Sequence, residues 1–442
     1  MKSRRTIFLP FVLLPFSFFQ AAQAITNGCP IEGATPMNIG PLNNSPDSGF
    51  PLYVQDSTGL TVEMCLDPDP VTPPNLCISD PVIPGNAFSE LIGFGAEGFW
   101  ASADTSITTS AGIDARLVSG VEAAFVTETP RDGDQFPFTR LRIRIDVPLP
   151  GIYTVTHPWG QEVFTIETAG VGAINESFDI EFAANSVHQG RIGPILRWDS
   201  GLPIADAQGG QYIGDPGQLH TVTGSPCGTN FFRIEAVALD GVTPLDIDPG
   251  DSDGIGGTGS VQNNLFAVSG KIFSGNAPAP LVVDRTNYAR AIDDAGQVNA
   301  FVASAPAAEV TLRGEPNLPP NDVPLDGNGQ GLFFKSIPVQ ADVLPDSVEV
   351  TAKNSGNANA THISLLTDAV NITRAEYNVT LQTLTIEANS SDKATNPVLT
   401  VFGFGDLSNG NGTFSNVIAP PAKVTVTSAK GGTDSEDITI VR

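Results

Sequence analysis

Positive charge is what this sequence has least of: 22 Lys and Arg stand against 48 Asp and Glu, a formal net charge of −26 at pH 7. So acidic a chain does not bind nucleic acid or anionic lipid through its overall field. The plain meaning of the excess is solubility and self-repulsion. Histidine is also scarce, with only His157, His188, His220 and His362, and none falls in an HxH or HExxH arrangement. No GxSxG nucleophile elbow is present. The four cysteines form no CxxC pair and have no neighbouring His ligands, which excludes the usual zinc frameworks. After the N-terminus no stretch approaches the roughly 18 apolar residues of a membrane-spanning helix.

Turn formers are abundant. Gly and Pro number 45 and 36, while 40% of residues are hydrophobic and 16% charged. That balance suits a turn-rich β protein rather than a disordered acidic tail. The clearest case is 139–167, TRLRIRIDVPLPGIYTVTHPWGQEVFTIE. Leu141, Ile143, Ile145 and Val147 alternate with Arg142, Arg144 and Asp146, the period of a half-buried strand. Pro148, Pro150 and Gly151 then predict a hairpin returning through 152–157. Similar runs at 60–65, 99–109, 115–127, 177–182, 229–237 and 264–273 predict one β-sandwich or barrel-like domain over 60–276. Residues 25–59, with a short strand at 52–54, read as an irregular N-terminal segment.

The first 24 residues read as a signal peptide. Lys2, Arg4 and Arg5 precede an apolar run from Thr6 to Phe19, and Ala22-Gln23-Ala24 has the small-x-small pattern of a cleavage site. The expected location is therefore secreted or cell-surface, with the periplasm open, and no transmembrane segment remains after signal removal. Exported chains keep disulfides. Cys65 and Cys77 enclose LDPDPVTPPNL, whose four prolines stiffen a short loop, and are expected to bond; Cys29 and Cys227 are left for each other.

The last 160 residues contain internal similarity. Residues 298–304 match 384–390, 310–314 match 399–403, 350–356 match 426–432, and 362–365 match 437–440. The predicted organisation is two immunoglobulin-like β-sandwiches, 281–368 and 369–442, giving an all-β, multi-domain chain. These paired units resemble the tandem immunoglobulin-like modules of exported bacterial proteins. The stretch 190–235, with RIGPILRW, YIGDPGQLHTVTGSP and GTNFFRIE, resembles a family of secreted bacterial β-rich proteins carrying such a domain ahead of the modules. The resemblance implies the fold and export, and it supplies no catalytic motif.

Three groups of residues are candidates for chemistry. His157 and His220 would meet across a sheet, with Asp199 or Asp215 near, in an acid-base site; the simpler role for His157 is a hydrogen-bonded core residue. Trp100, Trp159 and Trp198 would form a sugar-stacking platform on one exposed face, or else pack in the core. Asp246, Asp248, Asp251 and Asp253 crowd into eight residues before Gly254, Gly256 and Gly257, an oxygen-rich loop suited to calcium or simply a solvated turn. The expected function is a non-catalytic binding, adhesive or structural role toward a surface glycan, polymer or protein, or in self-assembly. The alternative is a secreted, carbohydrate-active hydrolase with immunoglobulin-like spacers.

Overall fold

The computed structural model describes residues 34–66, 75–201, 203–257, 259–293, 295–314, 318, 322–340 and 344–442. The expected signal peptide and Cys29 lie outside them. The chain is all-β, and among the described residues the one helix is Ala87–Ile92, capped by the Asn86 side chain. No helix among them is long and apolar enough to cross a membrane.

Five long strands frame the N-terminal part: β1 (Gly98–Thr108), β2 (Asp114–Phe125), β3 (Gln135–Val147), β4 (Gly170–Glu181) and β5 (Leu265–Ile272). They lie antiparallel in the order β4-β3-β2-β1-β5. Their inner face buries Ala103, Ile107, Leu117, Val121, Leu141, Ile143, Ile145 and Val268. Each large aliphatic among these contributes about 1.5–3 kcal/mol on burial. A one-residue slip of β3 would drive Arg142 and Arg144 into this core, so burial fixes which face carries the arginines. Across the core lies a four-stranded sheet in the order Gly160–Ile166, Gly151–His157, Phe232–Val237, Ser260–Asn263. It adds Tyr153, Val155, Phe232, Ile234 and Val261 to the same cluster.

Two sequence expectations change here. The 139–157 stretch is not a hairpin: β3 pairs with β2 and β4, while Gly151–His157 pairs with Gly160–Ile166 and Phe232–Val237 in the opposite sheet. Pro148 and Pro150 lack the N–H groups a ladder needs, so this segment turns a corner between sheets. The Tyr153 hydroxyl donates to the Leu149 carbonyl at 2.7 Å and pins the corner. The true hairpin closes around Pro158 and Trp159, with His157 opposite Gly160. Likewise, the described part of the segment before residue 60, residues 34–59, is not an irregular cap. Met37–Ile39 and Tyr53–Gln55 extend the large sheet beyond β5 through Thr61–Glu63, and Met37, Ile39, Phe50 and Val54 join the common core.

C-terminal to this lie two further pairs of sheets with separate cores. In the first, Leu281–Arg290, Ala295–Ser304 and Leu332–Gln340 face a sheet containing Glu309–Arg313, Ser347–Lys353 and Ala360–Leu365. In the second, Val370–Asn378, Thr383–Ser390 and Asn411–Phe414 face one containing Leu399–Val401, Lys423–Ser428 and Thr433–Asp437. Both first strands carry a register shift, between Val283 and Arg285 and between Ile372 and Arg374. Both also take a short parallel partner, Thr367–Asp368 and Thr439–Val441. Pairing corrects one aligned block. His362 lies opposite Val350, whereas the residue opposite Val426 is Asp434 and not the aligned Asp437.

Candidate binding face

The outward face of the long sheet carries four arginines. Alternation sends Arg140, Arg142 and Arg144 outward from β3, about 7 Å apart along the strand, and register sets Arg116 of β2 beside Arg144. They line a concavity of about 330 Å³ with Asp104, Val118, Glu122, Glu97, Ile78, Phe99 and Pro216. One wall comes from the segment after the Cys65–Cys77 disulfide, whose sulfurs are 2.07 Å apart. The Ser269 hydroxyl on β5 donates to the Leu76 carbonyl at 2.9 Å, and the Cys65 N–H donates to the Phe99 carbonyl at 2.8 Å, tying this wall to the sheet.

The four cations are not equally neutralised. Arg116 pairs with Asp104. Arg140 meets Asp179 through two parallel bonds of 2.9 Å and approaches Glu122 Oε2 at 2.8 Å. Arg142 and Arg144 have neutral partners: their Nε groups donate to Ser177 Oγ at 2.8 Å and Asn175 Oδ1 at 3.3 Å. Burial, and then the charges of Arg140 and Arg144, pull the Arg142 pKa below its ordinary value. Asp179 and Glu122 pull the other way without offsetting this.

Glu122 is the buried acid of this site. Burial pushes its carboxyl up to about 7 despite the opposing pull of Arg140. Its side chain is only 1% exposed, and although Arg140 is close, Oε2 receives no hydrogen bond. The carboxylate lies across Gly120, where an added Cβ would come within 2.3 Å of Oε1. The glycine is therefore what lets Glu122 lie flat toward Arg140.

The candidates named from sequence distribute differently. His157 is buried and packs with Glu162, Arg191 and Trp159, and burial holds its pKa down. His220 stacks on Trp198 with ring centroids 4.5 Å apart and lies 3.5 Å from Asp199. The two histidines thus have separate partner sets, and Asp215 is bonded to Gln218 and the Gly217 N–H. His188 is buried against Thr139, and His362 is exposed. Trp100 and Trp159 are core residues and only Trp198 is partly exposed, so the three do not share an exposed face. Cys227 is in a disulfide. Asp248, Asp251 and Asp253 come together, and Asp246 is exposed outside their cluster. Sequence reading missed the arginine face because alternation marks only that Arg142 and Arg144 point outward. The cross-strand neighbours that leave their charge unbalanced come from distant segments.

No protein-family description and no curated protein matches the sequence. Among solved structures the chain is similar to the N-terminal Ig1-2 module of the Drosophila receptor protein tyrosine phosphatase DLAR, at 12% identity over 37% of this chain and 100% of that one, with a TM-score of 0.17. It is also similar to a structure concerning host cell surface retention of a 1.5-MDa bacterial ice-binding adhesin, at 13% identity over 75% and 91%, TM-score 0.17. A third is the FN1-FN3 domains of chicken CNTN1, at 9% identity over 77% and 99%, TM-score 0.17. Scores this low transfer nothing to the present chain.

Proposed function

We propose that this is an exported binding protein whose arginine face holds an anionic polymer, of which an acidic surface glycan is the class an exported chain would meet. The carrying observation is the pair Arg142 and Arg144, neighbouring guanidiniums bonded only to neutral side chains beside a concavity. A carboxylate or sulfate spanning them would make bidentate, charge-assisted bonds and relieve their mutual repulsion. The net charge of −26 does not forbid this. At physiological salt, fields decay over about 8 Å, so a bound anion responds chiefly to the local cations. The basic start, apolar run and Ala22-Gln23-Ala24 site support export, and the two C-terminal sheet pairs would serve as a spacer or docking arm.

One observation favours the hydrolase reading: a carboxyl raised to about 7 lines the same concavity as Glu97 and Asp104, the pairing of acids a glycosidase uses. Its burial and contact with Arg140 favour a structural role. The experiment that separates the two is incubation of the folded chain with acidic and neutral polysaccharides, measuring both retention and release of reducing ends. Retention of acidic polymers without release supports binding. Release that is abolished by Glu122→Gln in a folded variant would establish the hydrolase instead.

A further inference from the structure

The geometry points to a calcium site in the loop joining Phe232–Val237 to Ser260–Asn263, built from Asp248, Asp251 and Asp253. One carboxylate oxygen from each of the three lies within 4.8 Å of the others. Oxygens sharing one calcium at 2.3–2.6 Å can be at most about 5 Å apart, so a single ion can reach all three.

Proximity of acids alone would mean little; the buried one decides the matter. Ile247 belongs to the main core, and its carbonyl accepts the Thr109 hydroxyl at 2.7 Å. This anchor draws the adjacent Asp248 fully inside. Its Oδ2 accepts the Ser252 N–H at 2.8 Å, but its Oδ1, though buried, has no hydrogen-bond partner. A buried ionised carboxylate without a balancing charge is costly, and two more carboxylates beside it add repulsion. The chain offers no nearby cation in sequence, since no Lys or Arg occurs between Arg233 and Lys271. None of the ion pairs among the described residues involves these three acids. A divalent ion supplies the missing charge and a partner for Asp248 Oδ1.

The remaining carboxylates are held for the task. Asp251 Oδ1 accepts the Gly256 N–H at 2.8 Å, and Asp253 accepts from Ile255 at 2.9 Å and Gln262 at 2.8 Å. Asp253 therefore links the ion to Gln262 within the strand Ser260–Asn263, so binding would tie the loop to the sheet. Hard oxygen ligands of this kind, without imidazole or thiolate, suit calcium rather than a transition metal.

The test uses the full chain, freed of metal with a chelator, and calcium chloride alone as the probe. Calcium at about a hundred times its Kd should raise the melting temperature by about 5–10 °C, with a saturable heat in calorimetry. Asp248→Asn should abolish that response and, in chelator, melt no lower than the wild type, because it removes the unbalanced charge. Should that variant fail to fold, exposed Asp251→Asn carries the same test and should weaken calcium binding at least about tenfold. No calcium-dependent heat or melting shift in the wild type overturns the site, as does an undiminished response in the variant that folds. An equal response to magnesium would likewise overturn the assignment to calcium.

Discussion

At the scale of single residues, Glu122 makes the sharpest statement because its protonation is coupled to folding. Its folded pKa of about 7 lies above the ordinary 4.5. Between these values the folded chain binds more protons than the unfolded one, so its contribution to stability falls as pH rises from about 4.5 to 7. The full penalty, on the order of 3 kcal/mol, is then present above pH 7. Glu122→Gln should flatten the dependence of unfolding free energy on pH across that window, read by urea melts at intervals of half a pH unit. An unchanged slope would mean that Glu122 is ionised throughout. The same proton affects the binding face. Asp104, Glu97 and the four arginines also line the concavity, and Asp179 pairs with Arg140 beside it. Neutralising Glu122 removes a negative charge beside the proposed anion, so polyanion binding should tighten as pH falls from about 8 to 6. Isothermal titration in buffers of different ionisation heat would also register the proton taken up.

At the scale of the element, β2 and β3 show how much of the fold the sequence exposes. The run from Leu141 to Val147 announces both the strand and its polar face, because side chains alternate on a pleated backbone. It does not announce its partners. Pro148 and Pro150 look alike in a hairpin turn and in a corner between sheets, and only burial of Tyr153 in the opposite layer decides between them. Gly120 was equally opaque, since its purpose lies in the Glu122 carboxylate crossing it. Gly120→Ala should therefore displace that carboxylate and destabilise the chain by about 1–3 kcal/mol. If the cost of Gly120→Ala disappears in a Glu122→Ala background, measured by denaturant melts, the clash is located there; an equal cost in both backgrounds would refute it. His157, a residue that attracts a catalytic reading in the sequence, is buried beside Glu162 and Arg191.

At the scale of the whole molecule, the sheet pairs are joined by specific contacts. Gln55 Nε2 donates to the Pro278 carbonyl and Asn357 Nδ2 to the Gly59 carbonyl, linking the N-terminal part to the first C-terminal pair. Between the two C-terminal pairs, Arg290 meets the buried Asp392 through Nε at 3.2 Å and Nη2 at 3.1 Å, and Tyr288 donates to the same carboxylate at 3.0 Å. Burial alone would raise the Asp392 pKa, but hydrogen bonds from Thr395, Arg290 and Tyr288 outweigh it and hold it at about 2. The stability from this depressed pKa is present above the ordinary 3.8 and is lost as pH falls through about 2, so this joint should survive mild acid. Arg290→Ala leaves Asp392 buried without its counter-charge, held only by Tyr288 and Thr395, a loss on the order of 3 kcal/mol. It should increase proteolysis near 366–370 in a time course, and an unaltered digestion pattern would show that the pair does not hold the joint. The aligned sequence blocks fall largely on strands of the two pairs. They did not expose the joint, because Arg290 and Asp392 are 102 positions apart and lie outside the aligned stretches. Arg142 and Arg144 are proposed to bind an anionic polymer at the face of the long sheet. The direct measurement is titration of a polyuronate, and of its carboxyl-reduced neutral counterpart, into the folded chain and into Arg142→Gln/Arg144→Gln. Binding should be salt-sensitive, confined to the polyuronate, and weakened at least about thirtyfold in the variant, equivalent to about 2 kcal/mol. Equal affinity for both polymers, or undiminished binding by a folded variant, would contradict it.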